Sequence, residues 1–373
     1  MSAVLISPKM VGSSSRYEPD KLEAVKKFAR MMPKVELHVH LEGTFLPERV
    51  IEIAQRNGIE LPERYNTLEK LQQAYVFKDL FSFLDLYAVC ASTLQTEKDF
   101  EELTLDYLKA AHHQGIAHTE IFVGFQLHMD RGIEFPTVLN GVKAAMRKAE
   151  AVWGITSSII LDIDRGKSEA SAIELFNQAF DEDGRPISPI IGVGLAYAEN
   201  DKNPPSKFTE LYKKAHDAGM LATAHAGEAF GPEYVREAIE KLKVHRIDHG
   251  VRSIEDRDTI KLLAKTRIPL TVCPLSNICL KVYKDLSHHP FKKLIDSGVV
   301  VTVNSDDPAY FGGGMNDNYD AVIDAYRLSL EDVYQLGRNS INASRLPNVR
   351  KESLLRDLDR IYHEFRVWIR SRL

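Results

Sequence analysis

An alternation along the chain constrains its fold more than any other feature. Eight short runs rich in apolar and β-branched residues recur: "KVELHVHL" (34–41), "HTEIFV" (118–123), "SSIILDI" (157–163), "PIIGVGLA" (189–196), "LATAHAG" (221–227), "RIDHG" (246–250), "IPLTVCPLS" (268–276) and "VVVTVNSDD" (299–307). Amphipathic stretches of helical period separate them. "PSKFTELYKKAHDAG" (205–219) places Phe208, Leu211, Tyr212 and Ala215 on one side, with Gly219 near its end, and "PEYVREAIEKLK" (232–243) behaves alike. Strands alternating with helices predict an α/β fold with a parallel sheet covered by helices. Eight is the strand number that closes a (β/α)8 TIM-type barrel; an open, doubly wound sheet is the competing arrangement. The connection from 44 to about 117 must hold extra helices, and 316–373 reads as helical too. One domain is expected over residues 18–373, behind a mobile, Ser-rich arm over 1–17.

The first run poses a chemical question. His38 and His40 stand two apart, and on a strand such residues share a face, with Leu37, Val39 and Leu41 on the other. Two imidazoles on one face can share a metal, although H-x-H alone is a weak signal. Barrel active sites lie at the C-terminal ends of the strands. There the fifth run offers His225 and Glu228, the sixth His249, and the eighth Asp306 and Asp307. Three imidazoles and a carboxylate suit zinc, so His38, His40, His225 and Asp306 form the expected ligand set, for one Zn2+ per subunit. Zinc would bring a bound water's pKa towards neutrality. His249 would then orient or deprotonate that water, and Glu228 would deliver a proton to substrate. Asp307, beside a ligand, would accept or share a hydrogen bond from substrate.

Plainer readings exist. Asp306-Asp307-Pro308 resembles a simple turn, Glu228 a helix cap, and His249 a buried packing histidine. His112, His113, His128, His288 and His289 lie in helical or loop contexts and are read as surface or packing residues. Net charge is −5, which leaves no basic footprint for nucleic acid or acidic lipid. No apolar run reaches membrane-spanning length, and the N-terminus lacks a signal-peptide pattern. Cys90, Cys273 and Cys279 provide no disulfide framework, which fits a reducing, cytoplasmic setting.

Taken together, "ELHVHLEGT", "AHAGE", "RIDHGVR", "CPLSN" and "VTVNSDDPAYFGG" resemble the adenosine deaminase family of the amidohydrolase superfamily, over roughly residue 32 to beyond 340. The resemblance implies a (β/α)8 barrel with one zinc that hydrolyses 6-aminopurines. It matches His38, His40, His225 and Asp306 to the ligands, Glu228 to the acid at purine N1, His249 to the group that positions hydroxide, and Asp307 to the partner of N7. "HLEGT", "HRIDHG", "NPPSKF" and "SDDPAYFGG" resemble the adenine deaminase branch. Glu42 stands where nucleoside deaminases usually carry a ribose-contacting Asp, and its extra methylene would crowd a sugar. "FKDLFSFLDLY" (77–87) resembles the family's helical lid.

This chain departs from the branch in three places. Leu195, Ala196, Tyr197, Ala198 and Glu199 stand where Leu-Asp-Ser-Ser-Glu is usual. Gly124, Phe125 and Gln126 replace Asp-Pro-Gln, and "HAGEAFGPEY" gains Phe230. Tyr197, Phe125 and Phe230 are therefore expected at the pocket, either closing its sugar side or making room for an N6 substituent. Adenine is the expected substrate, in purine salvage; an N6-substituted adenine or adenosine is the alternative. A two-metal amidohydrolase would need a bridging lysine or acid at the end of the fourth run, where no lysine stands. A non-enzymatic relative would have lost a ligand or Glu228, and none is missing.

Overall fold

A computed structural model describes residues 14–76 and 80–372. Its eight strands are β1 Lys34–His40, β2 Ile116–Val123, β3 Thr156–Asp164, β4 Ile190–Ala196, β5 Leu221–Ala226, β6 Arg246–His249, β7 Leu270–Val272 and β8 Val301–Val303. They run parallel in sequence order, each paired with the next. A single bridge between Val39 and Asp306 brings the last run back to β1. It is made by the His40 N–H on the Asp306 carbonyl (2.9 Å) and the Asp306 N–H on the His38 carbonyl (3.1 Å). The arrangement is a (β/α)8 barrel.

Two strands are much shorter than their sequence runs. In 268–276 the ladder stops at Val272, because Pro274 has no N–H to donate and opens the helix Pro274–Cys279. In 299–307 it stops at Val303, and Asp306 then takes a left-handed φ of 67° that turns the chain. The helix at the N-terminus begins by Ser14, ahead of Glu18; the rest of the expected arm, residues 1–13, lies outside the described residues.

The pleat separates two kinds of interior. Leu37 and Val39 face outward into the main core beneath the helices. Inside the barrel Phe122, Ile160 and Leu221 form a small plug, and a Cβ on Gly194 would stand 2.2 Å from the Phe122 ring. Below it Arg246 pairs with Glu120, both fully buried. Above it the polar strand ends converge. The β1–β2 connection carries the helices Pro47–Arg56, Leu68–Ala74, Leu80–Ser92 and Glu97–His113. Among the described residues no helix is long and apolar enough to cross a membrane.

Candidate active site

Each histidine of the central cluster is held through Nδ1. His225 Nδ1 donates to the Leu195 carbonyl at 2.9 Å. His40 Nδ1 donates to Asp162 Oδ2 at 3.0 Å. His38 Nδ1 faces the Thr271 carbonyl at 3.2 Å and Thr271 Oγ1 at 3.1 Å. That hydroxyl gives its own hydrogen to Asp248 Oδ1 at 2.8 Å, so both Thr271 oxygens accept. Acceptors on all three Nδ1 atoms put the proton there in each neutral ring and leave a lone pair on each Nε2.

Those lone pairs point at one another. His225 Nε2 lies 3.1 Å from His38 Nε2 and 3.3 Å from His40 Nε2. Asp306 Oδ1 stands 3.3 and 3.4 Å from the His38 and His40 nitrogens. With no hydrogen between them such contacts are repulsive, and a cation in their midst reverses the sign. Donors that share one ion at about 2.0–2.2 Å each stand roughly 3–3.5 Å apart, and the four distances here, 3.1 to 3.4 Å, fall in that range. The four groups are fully or almost fully buried and fit a divalent metal.

Beside the cluster stands a second group. His249 Nε2 lies 3.5 Å from Glu228 Oε1 and 3.7 Å from Asp306 Oδ2. Asn277 Nδ2 faces His249 Nδ1 at 3.2 Å and Glu228 Oε1 at 3.4 Å. Ser276 Oγ donates to Asp306 Oδ2 at 2.6 Å. Burial pushes the Glu228 carboxyl well above the usual range, and Asp306, Glu199 and Asp307 push it further. Burial, then Asp306, does the same to Asp307. Burial holds His249 down to about 3. The loop carrying Glu228 is anchored by Glu199, which accepts the N–H groups of Gly227 (2.9 Å), Glu228 (3.1 Å) and Phe230 (2.6 Å). Tyr197, His249 and Asp306 all have φ between 62° and 68°. Such backbone costs of order 1–3 kcal/mol per residue and gathers at functional sites.

His40, His225, Glu228, His249, Asp306 and Asp307 line one cavity, together with Asp162, Tyr197, Ala196 and Ala198. Phe83, Leu84 and Tyr87 of the helix Leu80–Ser92 cover it. This helix is the described part of the expected lid; residues 77–79 lie outside. Asp307 lines the cavity with no partner on Oδ1, and its carboxylate packs on Gly43, where a Cβ would lie 1.9 Å away.

Three expected pocket residues are elsewhere. The Glu42 carboxylate turns from the cavity to accept from His128 Nε2 at 2.7 Å and the Gly124 N–H at 3.1 Å. Phe125 is fully buried and stacks on Phe135 at 4.6 Å, because the turn at Gly124 starts a short helix that aims its first side chain into the core. Phe230 packs on Tyr234 at 4.4 Å and does not line the cavity. Of the five histidines read as surface or packing residues, His112, His113 and His288 are exposed. His128 and His289 are instead buried hydrogen-bonding groups, on Glu42 and on Asn277.

Sequence reasoning passed over Asp162, Asp248, Asn277 and Glu199. A carboxylate inside the apolar run "IILDI" was a signal for the first, and the acid within "RIDHG" for the second. Asn277 closes the motif "CPLSN" and Glu199 keeps the last residue of the branch's Leu-Asp-Ser-Ser-Glu, but neither position by itself indicates a role.

A sequence model described as adenosine deaminase matches residues 33–361. The adenine deaminase of Cupriavidus metallidurans is 46% identical over 333 residues, which is 89% of this chain and 92% of that protein. The crystal structure of the adenine deaminase of Arthrobacter aurescens superposes with a TM-score of 0.84 at 42% identity, covering 88% of this chain and 98% of that one. The N6-methyl-AMP deaminase of Arabidopsis thaliana shares the fold, with a TM-score of 0.76 at 21% identity over 90% of this chain and 98% of that one.

Proposed function

The chain belongs to the adenosine deaminase family, and from that premise we propose that it hydrolyses adenine to hypoxanthine and ammonia, with one zinc ion held by His38, His40, His225 and Asp306. One observation carries the reading. A carboxyl biased towards its protonated form, Glu228, meets His249 3.5 Å away at the mouth of a cluster of three imidazoles and one carboxylate. Zinc fits the three nitrogen donors and one oxygen donor, and when bound would supply the Lewis acidity that activates a water molecule.

The chain's own groups do the rest. Glu228 gives its proton to N1 as water adds to C6, which relieves the charge that would otherwise build on the ring. The proton that water sheds replaces the one Glu228 gave. The remaining hydroxyl proton passes to the exocyclic nitrogen, which leaves as ammonia, and C6 becomes a carbonyl. His249 holds the attacking oxygen, and Asp307 faces the N7 edge. The raised pKa of Glu228 suits this, since a protonated carboxyl can donate where a carboxylate cannot.

Free base is the favoured substrate, which the similarity to adenine deaminases supports. Tyr197 lines the cavity and is the candidate for excluding a sugar; Glu42 is held away by His128. The free thiols of Cys90, Cys273 and Cys279 support a cytoplasmic setting. Formation of the 6-oxopurine from adenine, N6-methyladenine and adenosine (hypoxanthine from the two bases, inosine from the nucleoside), compared as kcat/KM at one pH, tests the proposal. Adenine should lead. A higher value on adenosine would overturn the base-specific reading, and one on N6-methyladenine would show that Ala196 and Ala198 make room for an N6 substituent.

A further inference from the structure

The proposed chemistry leaves two buried polar side chains unused, Asn277 and His289, both on the segment after β7. The direction of their hydrogen bonds can be read because the series starts at a group that can only donate. The Phe291 backbone N–H points at His289 Nδ1 from 3.1 Å. That nitrogen therefore carries a lone pair, and the ring's proton sits on Nε2. Burial keeps this ring neutral by pushing its pKa down to about 3.

His289 Nε2 lies 3.1 Å from Asn277 Oδ1. A donor there needs an acceptor opposite, so the amide oxygen faces His289 and the amino group faces the other way. Turning the amide over would oppose two donors in a buried site, which is costly. The amino group, so fixed, reaches His249 Nδ1 at 3.2 Å and Glu228 Oε1 at 3.4 Å. His249 Nδ1 must then accept, and its proton lies on Nε2, the nitrogen that faces Glu228 and Asp306.

We propose that His289 and Asn277 are positioning residues that set the Nε2–H tautomer of His249, so that His249 meets the attacking water as a hydrogen-bond donor and not as a base. The inference rests on the reading that His249 stands beside the attacked water. It leaves Glu228 as the group that cycles a proton. It also gives His289, which touches neither the cluster nor the cavity lining, an effect on turnover through two intervening hydrogen bonds.

The test uses metal-replete, ¹⁵N-histidine-labelled protein. Two-bond ¹H–¹⁵N correlations distinguish the Nε2–H from the Nδ1–H tautomer, and His249→Gln assigns the signals. Wild type should show His249 as Nε2–H. His289→Leu removes the donor to Asn277 and should give a mixture of tautomers. Its kcat should fall about tenfold with KM within twofold and metal content unchanged. His289→Gln, whose amino group can still donate to Asn277 Oδ1, should restore most of the rate. Nδ1–H at His249 in wild type would overturn the proposal, as would an unaltered tautomer in His289→Leu. Should that variant not fold, the wild-type spectrum alone decides. Nε2–H at His249 in a protein that deaminates no purine would instead refute the functional reading.

Discussion

Gly43→Ala is the substitution whose effect the structure defines most closely. The new Cβ would stand 1.9 Å from Asp307 Oδ1, 2.6 Å from Cγ and 2.7 Å from Cβ. Ordinary contact begins near 3.5 Å, so the two groups must separate by about 1.5 Å. The turn at Gly43 cannot retreat freely, because its carbonyl accepts the Ala309 N–H at 3.1 Å. The Asp307 side chain, with no partner on Oδ1, is the part that yields. Its neighbour Asp306 is pinned to β1 by two backbone hydrogen bonds and should keep its place. Displacing a substrate-orienting group by about 1 Å costs roughly 10²-fold, or about 2.7 kcal/mol in the transition state. Steady-state kinetics on adenine should therefore show kcat/KM lower by about two orders of magnitude. Elemental analysis should show unchanged metal, and circular dichroism an intact fold. A kcat/KM within threefold of wild type would refute the assignment of Asp307 to substrate. Loss of metal would refute the argument that Asp306 is independently held.

Glu228→Gln should keep its metal and lose about 10²- to 10⁴-fold in kcat; turnover near the wild-type rate would move proton delivery elsewhere. The raised carboxyl pKa of Glu228 also has a sign in the pH profile. The proton-bearing form persists above the ordinary carboxylate range, so activity should be present below the raised pKa and fall as pH climbs through it. That alkaline limb should vanish from the residual activity of Glu228→Gln. Asp162→Ala frees His40 Nδ1 and should weaken metal binding about 10- to 100-fold, measured by competition with a chelator; unchanged affinity would deny Asp162 its orienting role. Arg246→Ala strands the buried Glu120 carboxylate and should destabilise the fold by about 3–5 kcal/mol in denaturant titration, where a cost below about 1 kcal/mol would contradict the pairing.

The barrel was legible because it rests on two periodicities that any chain displays in one dimension. Alternation of β-branched runs with helical stretches counts the strands. The two-residue pleat places His38 and His40 on one face. The rule that barrel chemistry gathers at strand ends then joins His225 and Asp306 to them without knowledge of any distance. Even the local limits of β7 followed a residue visible in sequence, since Pro274 cannot continue a ladder. What a side chain touches across the barrel is a different kind of quantity. Phe125 and Glu42 sit where a pocket residue was expected, yet one turns into the core at Gly124 and the other is claimed by His128, from a helix 86 residues away in the chain. Asp162 is a ligand orienter only because β3 brings it to His40. His289 bears on His249 only because Phe291 and Asn277 fix the sense of the hydrogen bonds between them. Strand number and the facing of alternate residues are properties of a chain's own backbone, so the sequence by itself determined them. Hydrogen-bond partners, tautomers and raised pKa values depend on groups from distant segments meeting where water is excluded, and only the closed barrel decided those.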